Sequence, residues 1–189
     1  MTNYLRPNVS GSTVFFTVCL ADRSSDLLIR EVDRLRAAVR QTKAERPFEI
    51  LAWVVMPDHM HCVWRLPGGD KAYGQRWGAI KSRFSRSVLK AHGWDKGAVV
   101  TSEGRMGLNP ILRLEAPGSR GLSPSKIAKG DAGIWQRRFY EHHCRGEEDV
   151  AACVRYCHLN PVKHGFVERA EDWRWSSVRR GVELAQWMK

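Results

Sequence analysis

FEILAWVVMPDHMHCVWRL, running from Phe48 to Leu66, carries the strongest signal of the fold. Phe48–Met56 is too apolar for a strand wetted on both sides, Pro57-Asp58 breaks it, and His59–Leu66 resumes the extended pattern. Two apolar strands with so tight a break between them predict a hairpin or a sharply bent ribbon. Pro67-Gly68-Gly69-Asp70 then turns the chain away.

Upstream of this ribbon, Ser12–Leu20 (STVFFTVCL) is β-branched and aromatic and reads as a buried strand. Leu28, Val32, Leu35 and Val39 then recur at helical spacing, and Pro47 stops that helix. Downstream, Trp77, Ile80, Phe84 and Val88 mark a second amphipathic helix. Its remaining positions carry Arg76, Lys81, Arg83, Arg86 and Lys90, an almost purely basic face. Ile134–His142 is a fourth strand candidate. Glu147–His158 reads as a helix with acidic residues at its positive end, closed at Asn160-Pro161 because a residue before proline is pushed out of the helical region.

Strand, helix, strand, strand, helix, strand, helix is the order of an α+β, ferredoxin-like sandwich: a mainly antiparallel sheet with helices on one face. Residues 1–175 form one domain on this reading, and 176–189 a basic, tryptophan-containing tail. Gly93–Gly130 has scattered Gly and Pro and no steady period, so it reads as a long loop or partly disordered insert.

The chain has 189 residues and a net charge of +11, an excess that favours a polyanionic partner, since each phosphate neutralised releases a counterion. Five cysteines form an odd set, Met1–Ser10 contains no apolar segment of the kind that directs secretion, and no run is long enough to span a bilayer. Reduced thiols, a cytoplasmic location and no membrane partner are the expectation.

Strand alternation places His59 and His61 on one face with Met60 on the other, and two adjacent imidazoles are suited to chelating a divalent metal. Alone, a His-x-His pair on a strand is more often a pair of surface or hydrogen-bonded structural residues. Its setting in the most apolar region of the chain argues for a partner, because two buried rings without one are unfavourable. Tyr156 and Asn160, four apart, share one helical face, where a hydroxyl and an amide oxygen could approach one metal-bound phosphate. Read singly, Tyr156 is a half-buried helix aromatic and Asn160 a helix-terminal residue before proline.

Together the runs VVMPDHMHCVW, GIWQRRFYEHHCRGEED and VRYCHLNPVKHGFV, with RPFEI before the first and DWRWSS near the end, resemble the REP-associated tyrosine transposases. These are a branch of the single-tyrosine transposases named for a His-hydrophobic-His motif. The resemblance runs in order from about Phe15 through Trp175. It implies that His59-Met60-His61 is that motif, that Tyr156 is the nucleophile, and that Asn160 takes the third metal-ligand position, where the wider superfamily often has Gln. Tyr140 falls where the family usually carries Trp, which favours packing for Tyr140. The implied activity is cleavage of single-stranded hairpin DNA of the repetitive extragenic palindrome type through a 5′-phosphotyrosine, with Mg²⁺ or Mn²⁺ and no nucleotide cofactor. A phenol ionising near ~10 is a poor nucleophile at neutral pH, so the cation must polarise and align the phosphate. Strand joining needs no added energy, since the free 3′-OH can attack the phosphotyrosine in turn.

Candidate phosphate contacts are Arg76, Lys81, Arg83, Arg86, Arg137, Arg138 and Lys163, although such faces are commonly just solvated. The tail with Trp173, Arg174, Trp175, Arg179 and Arg180 could stack on unpaired bases, or the tryptophans could dock it onto the domain, the better reading for Trp173. The wider superfamily contains dimers with exchanged helices. The palindrome-associated branch points to a monomer, and the chain itself does not decide.

Three other readings compete. His142, His143, Cys144, Cys153, Cys157 and His158 suggest a structural zinc site, but Cys153 and Cys157 are also a helix-core pair and no CxxC knuckle is present. A non-catalytic DNA-binding regulator on a transposase scaffold is the second. A replication initiator or relaxase is the third, and such enzymes commonly have longer chains.

Overall fold

The computed structural model describes residues 12–92 and 133–180. The 93–130 stretch and residues 181–189, Trp187 among them, lie outside the described residues. The elements are β1 (Thr13–Cys19), α1 (Leu27–Arg30), α2 (Val32–Glu45), β2 (Glu49–Val55), β3 (His59–Arg65), α3 (Tyr73–Ala91), β4 (Tyr140–His143) and α4 (Glu147–Lys163). Two short 3₁₀ turns follow at Ala170–Asp172 and Ser177–Arg180.

Among the described residues the strands form a four-stranded sheet in the order β2-β3-β1-β4, with every neighbour antiparallel. β2 and β3 are the ribbon expected around Pro57-Asp58, closed by a hydrogen bond from Met56 N to His59 O of 2.8 Å. β1 therefore lies inside the sheet and β4 at its edge. The fourth strand is shorter than the Ile134–His142 expected from sequence. Ile134 and Trp135 are buried, and Trp135 meets the sheet only through an isolated bridge to Leu20.

Strand alternation divides the core in two. Val14, Phe16, Trp53, Val55, Met60, Cys62 and Trp64 face one way, against Leu28, Leu35, Val39, Trp77, Ile80 and Phe84 of the first three helices. Trp64 lies between Phe48 and Trp77, with ring centroids 4.2 and 4.4 Å away. Burying each of these large side chains contributes roughly 1.5–3 kcal/mol. Phe15, Ala52, Val54 and Val63 face the other way, against Cys157 of α4 and Trp173. The helices are thus split between both faces rather than gathered on one as their order suggested, because α4 carries its own buried stripe to the opposite side.

α4 also runs past its expected stop. Pro161 is inside the helix, which ends in a Gly165 turn with φ +71°. Gly165 N bonds Val162 O and Phe166 N bonds Pro161 O, the paired bonds of a Schellman cap. Positive φ is cheap only for glycine, so Gly165, not Asn160-Pro161, is the stop signal.

The segment after α4 returns to the sheet edge. Trp173 Nε1 donates to Val55 O at 2.8 Å, Val55 N donates to Trp175 O at 3.0 Å, and Trp53 N donates to Ser177 Oγ at 3.0 Å. Docking is therefore the role of Trp173, and the docked segment continues past position 175 to Ser177. Among the described residues no helix is long and apolar enough to cross a membrane.

Candidate metal centre and tyrosine site

His59 and His61 project from β3 onto the face covered by α4, because they share strand parity with Val63. Both rings are buried, and their centroids are 4.9 Å apart. Each ring is oriented through Nδ1. His59 Nδ1 lies 2.7 Å from Asp58 Oδ1, and since a carboxylate can only accept, that nitrogen carries the proton. His61 Nδ1 lies 2.9 Å from Thr17 Oγ1, its cross-strand partner on β1. The proton on His59 Nδ1 leaves that ring's Nε2 lone pair available, and His61 does the same in the tautomer that donates from Nδ1 to Thr17 Oγ1, the arrangement typical of metal-binding histidines.

The electrostatics agree with that role. Burial first, then the neighbouring His59 and His164, push the His61 imidazolium down to about 3, so the ring is neutral at physiological pH. Burial would raise the Asp58 carboxyl. The hydrogen bond and charge of His59, together with Arg23, outweigh it and hold the group below the usual range. Arg23 Nε lies 2.6 Å from Asp58 Oδ2, so a cation at the surface anchors the residue that orients His59.

α4 supplies the other half of the site. Asn160 is 1% exposed, and neither its amide oxygen nor its amide nitrogen has a hydrogen-bond partner. A buried amide left unpaired costs about 1–3 kcal/mol, so such a group calls for a ligand. Asn160 is also close enough to His61 to oppose, weakly, the lowering of its pKa. Two imidazole nitrogens and one amide oxygen on a single face are a donor set that fits a hard or borderline divalent cation.

Tyr156, one helical turn before Asn160, is 42% exposed. Its ring meets His61 edge to face with centroids 5.2 Å apart, and Phe15 likewise at 5.7 Å. Phe15 in turn stacks on His61 at 5.6 Å. Lys163 Nζ lies 5.2 Å from the Tyr156 ring centroid. The structure thus brings Tyr156, His61, His59, Asn160 and Lys163 to one side of the sheet. Tyr140, expected to pack, is 61% exposed and touches Phe15 only edge-on at 6.3 Å. Together with Phe15, Thr17, His142, Cys153 and Tyr156 it lines an open groove.

The α3 residues behave differently. Arg76 is 2% exposed, with Nη1 3.0 Å from Asp70 Oδ1 and further bonds to Arg46 O and Pro47 O. It is an interior residue tying three segments together and is not placed to meet a phosphate. Arg83 is engaged by Thr42 and Glu45. Lys81 Nζ donates to Gln136 O at 2.8 Å and sits against the Trp135 and Phe139 rings. Arg86 is exposed, but α3 packs on the sheet face opposite the histidines. Arg137 and Arg138, just ahead of edge strand β4, and Lys163 are exposed.

Sequence reasoning missed Thr17, Asp58 and Phe15. Asp58 carried a signal, being adjacent to His59. Thr17 and Phe15 carried none, because only the β1–β3 register sets them against His61.

No protein-family model matches the chain. A REP-associated tyrosine transposase of Escherichia coli is 37% identical over 182 residues, covering 96% of this chain and 86% of the relative. A Haemophilus influenzae protein described in the same family terms is 33% identical over 183 residues, covering 97% of this chain and 89% of its own length. Among solved structures, a REP-associated tyrosine transposase bound to a REP hairpin superposes with a TM-score of 0.69 at 37% identity, covering 97% of this chain and 88% of that one.

Proposed function

The chain belongs to the REP-associated tyrosine transposases, and from that premise we propose that it cuts and rejoins single-stranded DNA at hairpins of the repetitive extragenic palindrome type. The observation that carries the reading is the meeting of β3 and α4. Two imidazoles each held at Nδ1, an unpartnered buried amide and an accessible tyrosine lie on one face of the sheet. The hairpin substrate is carried over from the similar solved structure, whose protein is bound to a REP hairpin.

His59 Nε2, His61 Nε2 and Asn160 Oδ1 would hold Mg²⁺ or Mn²⁺. The cation would supply positive charge at a non-bridging phosphoryl oxygen and so favour in-line displacement. The Tyr156 hydroxyl attacks phosphorus, the bond to the 3′ oxygen breaks, and the products are a 5′-phosphotyrosine and a free 3′-OH. The phenol proton leaves to solvent and the 3′ oxygen takes one up. Reversal with a different 3′-OH joins strands with no nucleotide cofactor. Among the described residues, Lys163 beside the Tyr156 ring and exposed Arg137 and Arg138 just ahead of β4 are cations that would hold flanking phosphates. Exposed Tyr140 offers a ring on which an unpaired base could stack.

The test is incubation of the full chain with end-labelled hairpin DNA carrying a single-stranded flank, with Mg²⁺ or with chelator. Metal-dependent shortening of the strand, with label retained on protein in denaturing gels, is the expected result. Tight hairpin binding with no cleavage under any divalent metal would refute the enzymatic reading and leave a DNA-binding regulator.

A further inference from the structure

Two residues that line the groove beside Tyr156, His142 and Cys153, belong to a second group of metal-ligating side chains. His142 on β4, Cys144 just beyond it, and Asp149 and Cys153 on consecutive turns of α4 place one ligand atom each within 4.8 Å of one another. The cysteine sulfurs are 3.9 Å apart, Cys153 Sγ is 3.9 Å from Asp149 Oδ1, and His142 Nε2 is 2.9 Å from Asp149 Oδ2. A tetrahedral zinc ion, with Zn–S of about 2.3 Å and Zn–N or Zn–O of about 2.0–2.1 Å, sets its two sulfurs about 3.8 Å apart and its nitrogen and oxygen about 3.3 Å apart. The cluster already has those edges to within a few tenths of an ångström.

We propose that His142, Cys144, Asp149 and Cys153 form a structural zinc site that clips the first turns of α4 to edge strand β4. Two thiolates, an imidazole and a carboxylate are a donor set for a borderline-soft cation, whereas the His59, His61 and Asn160 set contains no sulfur. Of the six residues that hinted at zinc in the sequence, the fold sends three elsewhere. Cys157 is buried in the core under α4, His158 Nε2 lies 3.0 Å from Ser177 Oγ, and His143 points across the sheet toward Tyr73. Asp149, which no cysteine spacing could indicate, replaces them.

Without a cation, burial and the adjacent Cys153 push the Cys144 thiol up to about 12, so both sulfurs carry protons. Binding Zn²⁺ therefore releases two thiol protons to solvent and needs the His142 proton on Nδ1, leaving a site with net charge −1. Asp149 also accepts from Arg145 N at 3.0 Å, so the clip reaches the chain just ahead of α4. Cys153 lies three residues before Tyr156, and both line the same groove. An ion here fixes the height of the tyrosine over the histidine pair, a consequence that rests on the function proposed above. The metal site itself does not rest on it.

The test uses the full chain, purified reduced, without chelator and without DNA. Elemental analysis is expected to find stoichiometric zinc. Replacement with Co²⁺ should give a thiolate-to-cobalt charge-transfer band and the intense visible bands of a tetrahedral ion. The Cys144→Ser, Cys153→Ser variant should lose both signals, and the His59→Ala, His61→Ala variant should keep both. Should the cysteine variant fail to fold, the cobalt spectrum of the unaltered chain decides alone. A reduced chain that yields neither zinc nor a thiolate–cobalt band, or zinc that departs with the His59 and His61 substitutions instead, would overturn the site. So would a zinc-free chain in which Cys144 and Cys153 are joined as a disulfide. Zinc found in a chain that cleaves no DNA would leave this site standing while refuting the function.

Discussion

Thr17 Oγ1 lies 2.9 Å from His61 Nδ1, directly across the β1–β3 ladder, and Asp58 Oδ1 lies 2.7 Å from His59 Nδ1. Each imidazole is thus held at Nδ1 by a neighbour on the sheet face covered by α4. The two orienting groups come from different elements, so they can be removed independently without touching either histidine.

Thr17→Val keeps the β-branched shape and deletes only the hydroxyl. Outer-sphere partners of this kind typically contribute about 10–100-fold to metal affinity. Mn²⁺ binding followed by calorimetry should weaken by a factor in that range, with the circular dichroism spectrum unchanged. An affinity equal to that of the unaltered chain would show that the His61 ring does not need Thr17 to hold its orientation.

Asn160 lets stability and function be separated. Its amide is buried and unpaired, and leaving such a group unsatisfied costs about 1–3 kcal/mol. Asn160→Ala removes that cost while opening a small cavity, so metal-free stability in urea should change by less than about 1 kcal/mol. Metal affinity and cleavage should both fall. A large loss of metal-free stability would mean that the amide is a structural group with a partner of its own.

How much of this was legible in the sequence follows from which contacts are local. The ribbon around Pro57-Asp58 and the shared face of His59 and His61 depend on period-two alternation within one segment, and they could be read directly. The α3 stripe of Trp77, Ile80, Phe84 and Val88 is equally local, recurring at helical spacing within one segment. Arg76 was misread because its partners, Asp70 and the carbonyls of Arg46 and Pro47, come from other segments, and a buried arginine looks like a surface one in a string of residues. The end of α4 was misplaced because Pro161 outweighed Gly165. Tyr156 against His61 is a contact between residues 95 positions apart in the chain, and only the resemblance to a family pointed to it.

The Arg76–Asp70 pair yields a stability prediction with a defined pH dependence. Asp70→Asn leaves a guanidinium that is almost wholly buried without its carboxylate. Breaking a fully buried pair costs about 3–5 kcal/mol, and partial exposure of Asp70 lowers the expectation to roughly 2 kcal/mol. The hydrogen bond from Arg76 is the main influence holding the Asp70 carboxyl below the usual aspartate range. A folded-state pKa below the unfolded one means the stabilisation is complete above the ordinary aspartate value and is lost as the pH falls through the folded one. Urea midpoints measured from neutral pH down to about pH 3 should therefore fall less steeply in Asp70→Asn than in the unaltered chain. Hairpin affinity of the folded variant should be unchanged, since Arg76 is interior. A selective loss of DNA binding would return Arg76 to the list of phosphate contacts.

The phenol above the histidine pair is the group proposed to bond to DNA, and peptide mapping of the covalent product identifies that bond. The unaltered chain is reacted with a hairpin substrate and Mg²⁺, digested, and the DNA-linked peptide is sequenced by mass spectrometry. A phosphodiester on Tyr156 is the expected product, with no adduct from Tyr156→Phe, whose hairpin affinity should stay within a few-fold of the original. A DNA-linked peptide containing Tyr140, or any adduct formed by Tyr156→Phe, would contradict that assignment.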